Sequence, residues 1–314
     1  MTPVNLLEEK SNTEVSLKNI LFATDFSAAS EAALPFVAAM SLRYGGMVHV
    51  AHVLPVVDLV RPSAIDPLTI GAVYEDAHSG TREKIEQLSQ RLEGFPHHTY
   101  IRHGKVSEVL SGLIGEHKID LLVAGTRGRT GVGKLVMGSV AEEIFRTSTC
   151  PVLTVGPKVP RVVKTHSRPN NEDVEPVRAE FHQILYATDF TRQSLAAASY
   201  AFSLAREFRS ALILLHVIEE YGDHLRERPG PIDRALRALE EMRPKDRDSR
   251  WAATPMVEFG SPTDRILQTA TERDADLIVL GIRPSHIEAA THLPWTTAHK
   301  IVTRANCPVL TVRQ

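Results

Sequence analysis

Apolar and polar positions alternate in blocks along the chain. Ile20–Ala23 is a short unbroken apolar run, and the Glu31–Arg43 segment after it places Leu34, Val37, Met40 and Ser41 at helical spacing before Gly45-Gly46 stops it. The pattern predicts further strands at Val48–Leu54, His98–His103, Leu121–Ala124 and Val152–Val155, with helices at Gly80–Leu92, Val106–His117 and Val140–Arg146. The strands show no polar alternation and are separated by helices. That combination describes a parallel sheet covered on both faces.

The same order of blocks then returns. Asn19-Ile20-Leu21-Phe22-Ala23-Thr24-Asp25-Phe26-Ser27 is matched by Gln183-Ile184-Leu185-Tyr186-Ala187-Thr188-Asp189-Phe190-Thr191, and His52-Val53 by His216-Val217. Further on, Gly104 pairs with Gly260, Asp120-Leu121-Leu122-Val123 with Asp276-Leu277-Ile278-Val279, and Cys150-Pro151-Val152-Leu153-Thr154-Val155 with Cys307-Pro308-Val309-Leu310-Thr311-Val312. Units of this length are too long for a solenoid repeat and describe a duplicated domain. The expected organisation is a polar tail at 1–17, a first domain at 18–156, a proline-rich linker at 157–181 and a second domain at 182–314.

The 314 residues fit two domains, and the 43% hydrophobic and 24% charged content is that of a folded chain. No apolar run nears the roughly 20 residues that cross a bilayer, and the first residues do not read as a signal peptide. A net charge of −2 marks neither a nucleic-acid binder nor a polybasic membrane binder. Two cysteines make no disulfide framework, so the cytoplasm is the expected compartment.

In an open parallel sheet, ligands bind beyond the carboxyl ends of the strands where strand order reverses. Asp25 follows the first strand, and after the fourth comes the glycine-rich stretch 125–139, leading into a helix. Glycines let backbone amides close around an anion, and the amides of Ser139 and Val140 lie at a helix N-terminus, where phosphate is favoured. Arg127, Arg129 and Lys134 add positive charge. Gly128–Lys134 also satisfies part of a P-loop, but Leu135 stands where a hydroxyl should hold magnesium, and that assignment fails.

The stretch does satisfy G-x2-G-x9-G-[ST], through Gly125, Gly128, Gly138 and Ser139. With the Asp25 strand end and the terminal Pro-Val-Leu-Thr-Val strands, the chain resembles a tandem member of the universal stress protein family, over nearly all of both copies. The resemblance implies two Rossmann-like domains of the adenine nucleotide alpha hydrolase type, each an open five-stranded parallel sheet with helices on both faces. It implies ATP as the ligand, with Mg2+ as a possible companion ion. By position, Ala23, Asp25 and Val53 would line the adenine and ribose, and Ala124, Gly125, Arg127, Gly128, Gly138, Ser139 and Val140 would surround the phosphates. Asp25 has a second reading as a cap for the next helix, and Asp189 recurs where the glycine loop is lost.

In the second copy Gly281 survives, but Pro284 replaces the second glycine, and Pro294 or Trp295 the third. Proline offers no amide to a phosphate, so one competent site is expected, in the first domain. The implied role is a nucleotide-gated stress-response module, with slow ATP hydrolysis or a non-nucleotide scaffold as the alternatives; no catalytic residue is nominated. Among the 14 histidines, His97 and His98 are strand neighbours on opposite faces, so no metal site is expected. His52 and His216 recur at equivalent strand ends, and Cys150 and Cys307 open apolar strands; both pairs suggest structural roles. The exposed edges of Val152–Val155 and Val309–Val312 predict that the halves pair as an intramolecular pseudo-dimer, with a homodimer also open.

Overall fold

A computed structural model describes residues 15–54, 67–126, 139–156, 158–159, 179–219, 229–243, 252–282 and 296–313. Most of the linker lies outside them. The first repeat runs β1 (Asn19–Ala23), α1 (Ala28–Tyr44), β2 (Met47–Leu54), α2 (Pro67–Arg91), β3 (His97–His103), α3 (Val106–Glu116), β4 (Leu121–Gly125), α4 (Ser139–Thr147) and β5 (Val152–Val155). The second runs β6 (Gln183–Ala187), α5 (Arg192–Phe208), β7 (Ala211–Ile218), α6 (Pro229–Glu241), β8 (Ala253–Phe259), α7 (Pro262–Glu272), β9 (Leu277–Ile282), α8 (Thr297–Arg304) and β10 (Val309–Arg313). The one large difference from the sequence pattern is α2, which starts at Pro67 and continues through Gly80. A Cβ at Gly80 would meet nothing, so that glycine is a tolerated helix residue and not a stop.

All ten strands form one sheet in the order β3-β2-β1-β4-β5-β10-β9-β6-β7-β8. Within each half the neighbours are parallel, and the halves meet where β10 runs antiparallel to β5. The strands need apolar side chains on both faces because both are covered. Ile20, Phe22, Val48 and Val50 face a core shared with α1, α2 and α5, whereas Leu21, Ala51 and Leu122 face α3. Asp120 Oδ2 accepts the amides of Lys18 and Asn19 at 2.8 and 2.9 Å, and Asp276 Oδ2 accepts those of His182 and Gln183 at 2.7 and 3.0 Å. The recurring aspartate therefore pins the start of the first strand of each repeat to its central neighbour.

The seam has its own two-fold logic. Leu153 lies opposite Leu310, both buried, with Thr154 opposite Val309 and Val152 opposite Thr311. Thr154 Oγ1 donates to the Val309 carbonyl at 3.1 Å, and Thr311 Oγ1 donates to the Val152 carbonyl at 3.3 Å. These are equivalent residues making equivalent bonds. On one face the Tyr44 hydroxyl of α1 meets Ser203 Oγ of α5 at 3.2 Å. On the other, Ala141 and Phe145 of α4 pack with Ile301, Val302 and Val309, and the Arg313 guanidinium bonds the Phe145 and Arg146 carbonyls at the end of α4. The expected pairing of the halves through their terminal strands is present.

Candidate functional site

β1 lies between β2 and β4, so the chain leaves the sheet in opposite directions on either side of the β1–β4 junction. Ala23 is registered with Ala51 on one side and Ala124 on the other. The carboxyl ends of β1, β2 and β4 thus bring Ala23, Asp25, Val53, Ala124 and Gly125 to the switch point where such sheets take ligands. Ala124 is buried, while Ala23, Asp25, Val53 and Gly125 keep part of their surface exposed. Small apolar side chains beside a carboxylate suit a nucleoside, which offers an apolar ring face and hydroxyl donors. Arg127, Gly128, Arg129, Lys134 and Gly138 lie outside the described residues, as do Pro284, Pro294 and Trp295. Ser139 and Val140 form the first turn of α4.

The Asp25 carboxylate is engaged locally. Its Oδ1 accepts the Ser27 amide and the Ser30 hydroxyl, both at 3.0 Å, while the Ser27 side chain caps α1 by accepting the Ser30 amide. Asp189 does the equivalent work: its Oδ1 accepts the Thr191 amide at 3.0 Å and the Thr191 hydroxyl at 2.6 Å. Burial works against ionisation of Asp189, but the bonds from Thr191 and Ser194 outweigh it and hold its carboxyl below the usual range. The aspartate therefore braces the turn that leads into the helix in both repeats, while the cap itself is Ser27 or Thr191.

The turn around it is duplicated closely. Phe26 and Phe190 hold left-handed φ values of 59° and 60°, unusual for a bulky residue. Each packs its ring 4.6 Å from a histidine, His52 or His216, whose Nδ1–H donates to the carbonyl of Thr24 or Thr188 at 2.8 Å. The shared role expected for these histidines is to hold the strand end.

Gly125 has a duty the glycine motif does not reveal. A Cβ there would lie 2.7 Å from the Ala29 carbonyl carbon and the Ser30 amide nitrogen, because α1 begins directly against β4. At Gly281 a Cβ would lie 2.0 Å from the Gln193 carbonyl oxygen of α5. Close helix–strand approach explains why Gly281 remains in the repeat that lost the other glycines. The retained Gly281 was the sequence signal for it.

Beside the crevice, Lys105 Nζ lies 2.7 Å from Glu143 Oε1 and ties α3 to α4. That ammonium holds the Glu143 carboxyl below its usual range. Both cysteines are free and buried; burial pushes the Cys150 thiol up, and that of Cys307 up to about 12, so neither offers a thiolate. Among the described residues no group of three or more His, Cys, Asp or Glu side chains can hold a metal ion, and no helix is long and apolar enough to cross a membrane.

A duplicated parallel α/β unit with its crevice at the β1–β4 switch point defines a tandem protein of the Rossmann-like class. The universal stress protein family model matches residues 16–156 and 180–313, and the chain belongs to that family. A universal stress protein of Mycolicibacterium smegmatis is 24% identical over 308 residues, covering 94% of this chain and 96% of its own. One from Methanocaldococcus jannaschii is 27% identical over 145 residues, covering 46% of this chain and 85% of its own. The crystal structure of a universal stress protein from Archaeoglobus fulgidus superposes with a TM-score of 0.68 at 20% identity, over 94% of this chain and 98% of that one. That likeness shows the two-domain fold.

Proposed function

We propose that this chain binds an adenine nucleotide, ATP, at one site in its first repeat and works as a nucleotide-gated regulatory module of the stress response. The observation that carries the proposal is positional. The intact G-x2-G-x9-G-S series leaves the sheet at the end of β4, beside Asp25, and ends on the first turn of α4. In this assignment Ala23, Asp25 and Val53 meet the nucleoside, while Ala124, Gly125, Arg127, Gly128, Gly138, Ser139 and Val140 surround the phosphates. Magnesium, where it accompanies the nucleotide, would neutralise phosphate charge. The second repeat keeps the Asp189 turn and the close-packed Gly281 but not the series, and serves as the structural partner of the first. Neither the hydrolase nor the scaffold alternative has a specific observation in its favour.

Isothermal titration with ATP should give one site per chain. A Gly138→Asp chain should lose the binding and keep the parent's melting temperature. Two sites per chain, or no binding at millimolar ATP, would overturn the proposal.

A further inference from the structure

At the opposite end of the first repeat, His49 sits on β2 beneath α3, with 4% of its surface exposed. Its Nε2–H donates to Asn19 Oδ1 at 3.3 Å, and its Nδ1 accepts the Tyr100 hydroxyl at 3.1 Å, which is a complete set of bonds for a neutral ring. His117, capping the end of α3, stacks on it at 4.8 Å with planes 27° apart. Tyr100 lies 5.9 Å and His98 6.1 Å away, both on β3. Three imidazoles and a phenol thus share one pocket joining β2, β3 and α3.

The charged surroundings are sparse. From β3, Arg102 covers the Tyr100 ring at 5.5 Å. From the end of α3, Glu116 Oε1 is 3.4 Å from His117 Nε2, outside hydrogen-bond geometry. Lys118 follows and receives the Asn19 side-chain amide on its carbonyl, and Asp120 is occupied by the Lys18 and Asn19 backbone amides. The nitrogens of stacked imidazoles lie in separate planes and do not converge on a cation, so the stack is not a metal site. In the second repeat the same register carries Ile213 for His49, Thr254 for His98 and Met256 for Tyr100, while Arg273 caps α7 where His117 caps α3.

We infer that the His49–His98–His117–Tyr100 stack is an acid-sensitive lock on the first repeat. With neutral rings it pins β3 and the end of α3 to β2. A positive charge on the buried His49 ring would be stripped of water and would face the His117 and His98 rings, so acid favours releasing those elements into solvent. The second repeat, lacking the rings, keeps its packing.

Burial first, then His117 and His98, lower the His49 pKa from 6.5 to about 4. An opened segment therefore takes up a proton that the closed one refuses between pH 4 and 6.5. The lock is fully closed above that window and weakens as pH falls through it, by on the order of tenfold in the opening equilibrium from pH 7 to pH 5.

Hydrogen exchange on the full chain without nucleotide, corrected for intrinsic rates, tests this independently of ATP binding. Opening of 97–103 and 106–116 should rise about tenfold more than that of 253–259 and 262–272 over that pH change. A His49→Ile chain, carrying the residue the second repeat uses, should erase the difference. The parent's His49 ring, followed by NMR, should titrate well below 6. An equal acid response of the two repeats, a His49→Ile chain that keeps the difference, or a His49 ring titrating near 6.5 would each overturn the lock.

Discussion

At the scale of single residues, duplication separates architecture from chemistry. Asp25 and Asp189 stand in matching turns, each bonding the amide two residues on, although only the first repeat keeps the glycine series. A motif that survives beside a degenerate loop has a folding role whatever else it does. The glycines divide the same way: Gly125 and Gly281 are both required by helix approach, and the motif's other glycines are not duplicated. Gly125→Ala should cost about 1–3 kcal/mol, as overpacking against fixed backbone does, and Gly281→Ala at least as much, measured by urea unfolding. The Asp189 carboxyl, held below its usual range, contributes stability at neutral pH that is lost as pH falls through the folded value. Asp189→Asn should therefore flatten the acid limb of the stability profile relative to the parent. Sequence alone located these residues, but not their contacts. Nothing in a linear pattern shows that α1 begins within contact distance of β4.

At the scale of elements, hydrophobic periodicity identified the strands and most helices because burial on both faces leaves an unbroken apolar signature. The start of α2 was illegible, since Gly80 reads as punctuation until its open surroundings are seen. The histidine stack was illegible for a related reason. His49 interrupts an apolar strand as one polar letter, and its partners come from β3 and the end of α3, far along the chain. Comparison with Ile213 was the available signal. Helix starts, by contrast, were written locally: Ser27 and Thr191 accept the amides of Ser30 and Ser194, each at 3.3 Å. Ser27→Ala and Thr191→Ala should each destabilise by about 1 kcal/mol in urea unfolding. The double variant should lose the sum, because the caps belong to different repeats and share no bond.

At the scale of the whole molecule, the two repeats are halves of one sheet, and their union rests on a short antiparallel seam. Leu153 is fully buried and faces Leu310 on the pseudo-two-fold, with equivalent threonine bonds on either side. A lone carboxylate buried in that apolar contact is left uncompensated, which costs about 3–5 kcal/mol. Leu153→Asp should lose stability on that scale. Because Leu153 belongs to the core that the two halves share, the loss should fall on their docking as well as on the packing of the first half. The parent should melt in one transition and this variant in two, and the variant's radius of gyration from solution scattering should be the larger. Leu42→Asp, at an exposed position on α1, provides the control and should leave both measurements as in the parent. If Leu153→Asp melted and scattered like the parent, the seam would not be what holds the halves together. The packing of Ala141 and Phe145 on Ile301 and Val302, the Tyr44–Ser203 contact and the Arg313 bonds to the end of α4 would then carry the docking.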